Sequence, residues 1–288
     1  MSSFGLGKTV THPKPSVGII GGSGLCTFPE LAILHRVRPV TEYGAPSDDI
    51  LIGECGGHVI AFLPRHGEGH AIPPHKVPYK ANLAALKELG VRHVVGTCIV
   101  GSLRREIPPG SLVVLDQFVN LTWGRDDYFD VDRQFVHLPM ARPYCETLRR
   151  VACEVAEGIG LKPLPRGTVA VIQGPRFSTI AESQWLAASG WDVVNMTQYP
   201  ECYFARELGL CYAAVAWVTD YDVGVSETAV LQDPERVEEI LQIFRENVRK
   251  TRTFLLAFVE KTADGLECAC ASRIAQPYFA RDSAIPPH

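Results

Sequence analysis

No apolar run in the chain approaches the ~20 residues a helix needs to cross a bilayer. The opening stretch, MSSFGLGKTVTHPKPS, lacks the basic-then-apolar order of a secretory leader. A charge excess is missing too: 28 Lys and Arg against 32 Asp and Glu leave a formal net charge of −4. That balance gives no electrostatic reason to expect nucleic acid or an anionic membrane as partner. A soluble cytoplasmic protein is the expectation. Nine cysteines are present, but they are odd in number and scattered, so they do not form a disulfide scaffold. The one close pair, Cys268-Ala-Cys270, lacks the CxxC or CxxxxC spacing of a zinc site, and no second pair accompanies it. Ordinary reduced thiols and no metal site are expected. The chain also lacks internal repeats, low-complexity tracts and linkers. At 288 residues it can bury a sizeable core as one domain.

What is present is an alternation of short apolar runs and helical segments, which marks an α/β fold. Ser16–Ile20 is a short strand entering Gly21–Gly22–Ser23–Gly24, a turn without the GxGxxG spacing or a following Walker lysine. That turn suits a tight structural corner and an anion-binding nest equally. Gly56–Gly57 joins Ile50–Ile52 to His58–Leu63 as a hairpin. The second of these strands ends in Arg65–His66, two side chains suited to an oxyanion. A helix is predicted over Tyr79–Leu89, stopped by Gly90. Strands follow at His93–Cys98 and Leu112–Asp116. The polar, aromatic loop 120–133 is long enough to cover a site or an interface. Pro143 opens a helix to about Gly158, and Asp233–Pro234 opens another to about Lys261.

The densest signal lies between Val171 and Asp222. A strand there runs into the corner Gly174–Pro175–Arg176–Phe177. Thr179 and Glu182 have capping-box spacing for the next helix, and Gly190 ends it. A second strand, Asp192–Asn195, leads to Met196–Thr197, and Pro200 opens a helix that ends at Gly209. The apolar strand Leu210–Val218 delivers Thr219, Asp220, Tyr221 and Asp222. Ligands in such folds bind at carboxyl ends of parallel strands. The corners at 174–178, 195–197 and 219–222 are therefore expected side by side.

Six motifs, GGSGL, LPRHGEGH, GSLRREIPPGSLVVLDQFVNLT, GPRFST, NMT and TDYD, stand in one order from Val17 to Asp222. In this the chain resembles the trimeric purine nucleoside phosphorylases, most closely those that cleave 5′-methylthioadenosine. The resemblance implies a single-domain purine nucleoside phosphorylase-like fold, residues 16–262, with a central mixed twisted sheet of seven to nine strands flanked by helices. Residues 1–15 would be a flexible start, and 263–288 a tail packed on the surface or on a neighbouring subunit. It also implies phosphate-dependent cleavage of an N-glycosidic bond, in a homotrimer or trimer-based oligomer, without metal or organic cofactor; inorganic phosphate is the co-substrate. Phosphate contacts would fall to Ser23, Arg65, His66 and Thr197, with backbone help around Cys98 and Ile99. Phe177 would lie along the purine, Met196 would pack under the ribose, and Asn195 would fix that corner. His66, Asp220 and Asp222 are the catalytic candidates.

The two aspartates carry the specificity argument. A protonated Asp220 could donate to N7 of adenine while accepting from N6, with Asp222 assisting at N6; that needs a raised pKa. Relatives that act on 6-oxopurines carry Asn at the position of Asp220 and Glu at that of Ser178, so this chain favours a 6-aminopurine. Apolar Val223, Val225, Val230 and Leu231, with Val237 and His70, are expected to line a pocket for a thioether-like 5′ group. Three other readings fit the sequence less well. A 6-oxopurine phosphorylase conflicts with Asp220 and Ser178. A nucleoside hydrolase leaves Arg65 and His66 without an anion. A dehydrogenase-like nucleotide-binding module lacks the glycine spacing and the ribose-binding acid.

Overall fold

A computed structural model describes residues 14–129, 137–225, 237–263 and 265–274. Its core is one sheet of ten strands, ordered β2-β3-β4-β1-β5-β9-β8-β7, with β10 pairing β5 and β6. The strands are β1 (Val17–Gly21), β2 (Ala32–Val37), β3 (Ile50–Cys55), β4 (His58–Pro64), β5 (His93–Ser102), β6 (Leu112–Val114), β7 (Gln117–Leu121), β8 (Thr168–Ile172), β9 (Val193–Asn195) and β10 (Cys211–Tyr221). The helices are α1 (Tyr79–Glu88), α2 (Glu146–Gly158), α3 (Ile180–Ala188), α4 (Gln198–Glu207), α5 (Val237–Thr262) and α6 (Cys270–Ile274). No described helix is long and apolar enough to cross a membrane.

Local signals in the sequence account for most of these bounds. Cys55 pairs with His58 across Gly56 and Gly57, both at positive φ, as a two-residue hairpin requires. Thr179 and Glu182 form the reciprocal capping box that starts α3, and Gly190 follows its end at φ 80°. Tyr199 is extended, so the regular part of α4 begins at Pro200. Two expectations shift. Pro143 stands ahead of α2 rather than opening it; Cys145 caps the helix, its sulfur accepting the Leu148 amide. The loop 120–133 is less loop than expected, because β7 reaches Leu121 along β8. The Asp233–Pro234 start of α5, Val230, Leu231 and the end of the loop 120–133 lie outside the described residues.

Helices cover both faces. Leu83 and Leu86 of α1 and Phe204 of α4 pack with Ile20, Leu63 and Val94 in one buried cluster. Leu148 and Val151 of α2 and Phe254 and Phe258 of α5 pack with Ile19, Val95 and Trp217 in a second. Each such aliphatic or aromatic side chain contributes about 1.5–3 kcal/mol when fully buried. Within the loop 120–133, Trp123 and Tyr128 are exposed, whereas Phe129, 3% accessible, is buried against Tyr43 and Phe204. An aromatic in a polar loop can be the loop's own anchor, which composition does not distinguish from an exposed patch.

The feature that positions the site is a fork beside β5. Parallel β10 follows β5 along its whole length. On its other edge β5 holds parallel β1 only through Gly96, and then antiparallel β9 only at Gly101 and Ser102. Between those partners, residues 97–100 have no strand neighbour on that edge among the described residues. The chain ends of β1, β4, β9 and β10 open into this gap. The three corners were expected side by side at the carboxyl ends of parallel strands. They meet instead inside the fork, because β8 and β9 run antiparallel to β5 and β10.

Candidate active site

A cavity of about 750 Å³ fills the fork. Ser23, Arg65, His66, His70, Cys98, Ile99, Phe177, Ser178, Asn195, Met196, Thr197, Asp220 and Asp222 all line it. Thirteen of the eighteen candidate site residues named from the sequence thus converge on one space. Val237 opens α5, and its side chain lies outside what is described. The apolar wall expected near it comes one turn on, from Ile240, Leu241 and Phe244. Val225, expected in that wall, packs instead with Leu103, Ala170, Leu186 and Val194.

One end of the cavity is built around Arg65, 1% exposed. Its Nε and Nη2 donate to the Glu201 carboxylate at 2.6 and 2.7 Å, and Nη1 donates to the Thr97 carbonyl at 2.8 Å. Burial alone would disfavour the charged guanidinium, but Glu201 offsets that and holds its pKa above the ordinary value. The open fork read from the sequence is therefore partly occupied. Of five guanidinium N–H donors three are engaged, leaving two for an anion. Glu201 was missed in the sequence. It is itself held by the Tyr212 hydroxyl at 2.6 Å and is fully buried. The available signal was a carboxylate on the apolar face of α4, between Pro200 and Cys202.

The glycine turn belongs to this end, and both readings of it find support. Gly22 donates its amide to Thr97 Oγ1 at 3.0 Å, and a Cβ there would lie 2.8 Å from Arg65 Nη1 and 2.4 Å from the Thr97 carbonyl. Gly24, at φ 79°, would drive a Cβ into Phe244 of α5. The turn is a close-packed corner, and it also carries Ser23 to the cavity.

His66 donates from Nδ1 to the Ile72 carbonyl at 2.8 Å, since a carbonyl can only accept. Burial and then the neighbouring Arg65 charge push its pKa down to about 4. At neutral pH the ring is therefore neutral, and its remaining nitrogen, Nε2, is an acceptor. It suits a protonated phosphate oxygen rather than a bare one. His70 stacks on it at 4.1 Å between centroids and is likewise lowered by burial and by Arg65.

The other end of the cavity has no buried cation among the described residues. Asp220 sits just past a bulge at Thr219, where the β10–β5 register slips between Val218 and Asp220. Burial raises its pKa to about 6, with the Asp222 charge adding to the rise and the Thr219 hydroxyl, donating at 2.7 Å, opposing it. Asp222 is raised too, chiefly by burial; the nearby Ser183 and Ser178 hydroxyls partly relieve it. No hydrogen bond of good geometry reaches Asp222 Oδ2, Ser178 Oγ or Asn195 Nδ2, all three of them buried. Buried polar atoms are rarely left unpaired. Three around one cavity mark where a polar ligand completes the bonding. Asn195 also accepts the Thr197 and Gln198 amides at 3.4 and 3.5 Å, which fixes the corner after β9. Met196 rests against Gly174, where a Cβ would come within 2.5 Å of its sulfur. Phe177 is half-exposed at the cavity margin.

This site can bind an oxyanion at one end and a hydrogen-bonding planar base at the other, across a short apolar span. The profile of the phosphorylase superfamily matches residues 16–260. The chain belongs to the phosphorylase superfamily. It is 48% identical over 253 residues to the S-methyl-5′-thioadenosine phosphorylase of Mycobacterium tuberculosis, covering 88% of this chain and 91% of that one. It is 44% identical over 271 residues to a purine nucleoside phosphorylase of Streptomyces coelicolor, covering 91% and 95%. Among solved structures, methylthioadenosine phosphorylase from Schistosoma mansoni in complex with adenine superposes with a TM-score of 0.84 at 36% identity, covering 94% of this chain and 100% of that chain.

Proposed function

We propose that this enzyme cleaves the N-glycosidic bond of 5′-methylthioadenosine, or a closely related 5′-deoxy-5′-substituted adenosine, with inorganic phosphate as co-substrate. The products are adenine and the 5-substituted ribose 1-phosphate, which makes it a pentosyltransferase of purine salvage. A phosphate oxygen bonds to C1′ as the C1′–N9 bond breaks, and the bonding pair leaves with the purine. Arg65, Ser23, Thr197 and the acceptor nitrogen of His66 orient the phosphate. Asp220 supplies a proton or hydrogen bond at N7 while accepting from N6, and Asp222 accepts from N6. An oxocarbenium-like transition state asks for positioning and fixed dipoles more than covalent help. The chain's own residues fill these roles, so the reading calls on no metal or organic cofactor for catalysis.

The observation that carries the base assignment is Asp220, half-buried at the cavity wall with its pKa raised to about 6 and, among the described residues, no cation beside it. The 5′ assignment rests on Ile240, Leu241 and Phe244, an apolar wall that suits a thioether better than a hydroxyl. A homotrimer or a trimer-based oligomer belongs to the same reading. Trp123 is 67% and Trp185 55% exposed, and both border a second hollow beside the site, a surface suited to a neighbouring subunit. Full activity from a strict monomer at assay concentration would remove that part. The reading also places the enzyme in the cytoplasm, where thiols stay reduced.

The direct test is a substrate panel of 5′-methylthioadenosine, adenosine and inosine with and without phosphate. Adenine release from the thioether substrate should require phosphate and should yield the sugar 1-phosphate. Release without phosphate, yielding the free sugar, would instead establish a hydrolase.

A further inference from the structure

Cys211 is the first residue of β10 and Asp220 the tenth, so the strand spans about 30 Å between them at ~3.3 Å per residue. At the Cys211 end, four thiols from three separate parts of the chain meet. Cys145 caps α2, Cys211 opens β10, and Cys268 and Cys270 come from the segment after α5. Their sulfurs all lie within 4.8 Å of one another. Three of the four residues are buried, and Cys268 is partly so. The sequence offered no such group, because the spacing rule looks for paired cysteines and two members of this set are solitary.

The geometry suits one cation. A tetrahedral thiolate site with metal–sulfur bonds of ~2.3 Å sets its sulfurs about 3.8 Å apart. The closest pair here, Cys211 and Cys268, is at 2.7 Å, so a small outward shift of one sulfur meets that requirement. Backbone amides already point at two of the sulfurs: Leu148 N–H donates to Cys145 at 3.5 Å, and Cys270 N–H to Cys268 at 3.2 Å. Such amide bonds stabilise thiolates and orient metal ligands. Cys145 also stands at the positive end of the 13-residue helix α2, which favours a net negative cluster. Four thiol ligands without oxygen or nitrogen donors select a soft or borderline cation.

We propose that Cys145, Cys211, Cys268 and Cys270 bind one zinc ion as a closed, tetrahedral structural site. Binding displaces four protons from the thiols and leaves a site of net charge −2. It ties the segment after α5 to the amino-terminal end of β10 and to α2. His93 pairs in register with Cys211, and its Nε2 lies 3.3 Å from the Leu266 carbonyl, so the imidazole braces the same segment from the sheet. Lying so far from the cavity, the ion has no part in phosphorolysis, and the proposal stands independently of the substrate assignment.

The test uses the full chain, purified with its thiols reduced, stripped by chelator and titrated anaerobically with Co²⁺. One equivalent should bind per chain, with thiolate charge-transfer bands and the intense d–d absorption of tetrahedral Co²⁺, and zinc should displace it. Cys211→Ser and Cys270→Ser should each lose that spectrum, whereas Cys26→Ser and Cys153→Ser, outside the cluster, should keep it. Zinc loading should raise the Tm of the wild-type chain without changing kcat. Absence of the spectrum in the reduced wild-type chain under excess Co²⁺ would overturn the proposal, even if the serine variants fail to fold. So would the same spectrum in all four variants. Mapping the four cysteines as two disulfides, in protein that binds no metal after reduction, would overturn it in favour of a covalent staple.

Discussion

Two acids, fully buried Glu201 and half-buried Asp220, serve one cavity and are handled in opposite ways. Glu201 is matched to Arg65 by two short hydrogen bonds and to Tyr212 by a third. Asp220 has a hydroxyl and another carboxylate nearby but no cation, and burial drives its pKa to about 6. The first arrangement fixes a guanidinium rigidly, so that its two remaining donors are aimed before any anion arrives. The second leaves a carboxyl that takes up a proton at higher pH than an ordinary aspartate, which a departing purine can use. Pairing produces a scaffold here, and its absence produces chemistry.

Breaking the pair should have the largest effect. Glu201→Leu leaves an uncompensated buried cation, a loss of about 3–5 kcal/mol in folding stability. The double change Arg65→Met with Glu201→Leu should recover most of that in a denaturant titration while abolishing phosphate-dependent turnover. Stability of the single variant within about 1 kcal/mol of wild type would mean that the pair does not hold this corner.

At the base end the sign reverses. A carboxyl with a raised folded pKa binds its proton more tightly folded than unfolded. Its stabilising contribution is therefore complete below pH 3.8 and is lost as pH rises through about 6. Charged Asp220 then weighs against the fold by about 3 kcal/mol, at ~1.4 kcal/mol per pKa unit. Asp220→Asn should accordingly be more stable than wild type by up to that amount at pH 7 and no more stable near pH 3.8. Melting curves at the two pH values test this, and a pH-independent difference would contradict the raised pKa.

A smaller effect sharpens the contrast through the substrate. Asp220→Asn combined with Ser178→Glu replaces the acceptor and donor pattern for N6 and N7 with one that suits a 6-oxo group. The ratio of kcat/KM for 5′-methylthioadenosine over its inosine analogue should fall by ~10²-fold or more. If the wild type already cleaves both equally, the two aspartates do not read the 6-position.

How much of this could be read from the sequence follows from where each signal sits along the chain. The Gly56–Gly57 hairpin and the Thr179–Glu182 capping box are local patterns, and each appears where it was expected; the polar corners at 174–178, 195–197 and 219–222 do come together, but inside the β5 fork rather than along one run of parallel strands. The same holds for the residues gathered by motif, which share the cavity. The rest depends on approach in space. Glu201 faces Arg65 across 136 residues of chain. The β5 fork arises because β9 runs against β5, and no local pattern encodes strand direction. Exposed β2 is an edge strand without a buried face to give it alternation. Phe129 looks like loop surface until Tyr43 and Phe204 close over it.

The proton on Asp220 is the central claim, and the pH dependence of kcat/KM for 5′-methylthioadenosine at saturating phosphate tests it most directly. That quantity reports the enzyme before nucleoside binds. Titration of phosphate itself enters wild type and Asp220→Asn alike, so the difference between their profiles isolates the carboxyl. Wild type should lose kcat/KM as pH rises past an apparent pKa at or somewhat above 6, and the variant should lack that limb. Superimposable profiles would contradict the claim that a protonated Asp220 assists the departing purine.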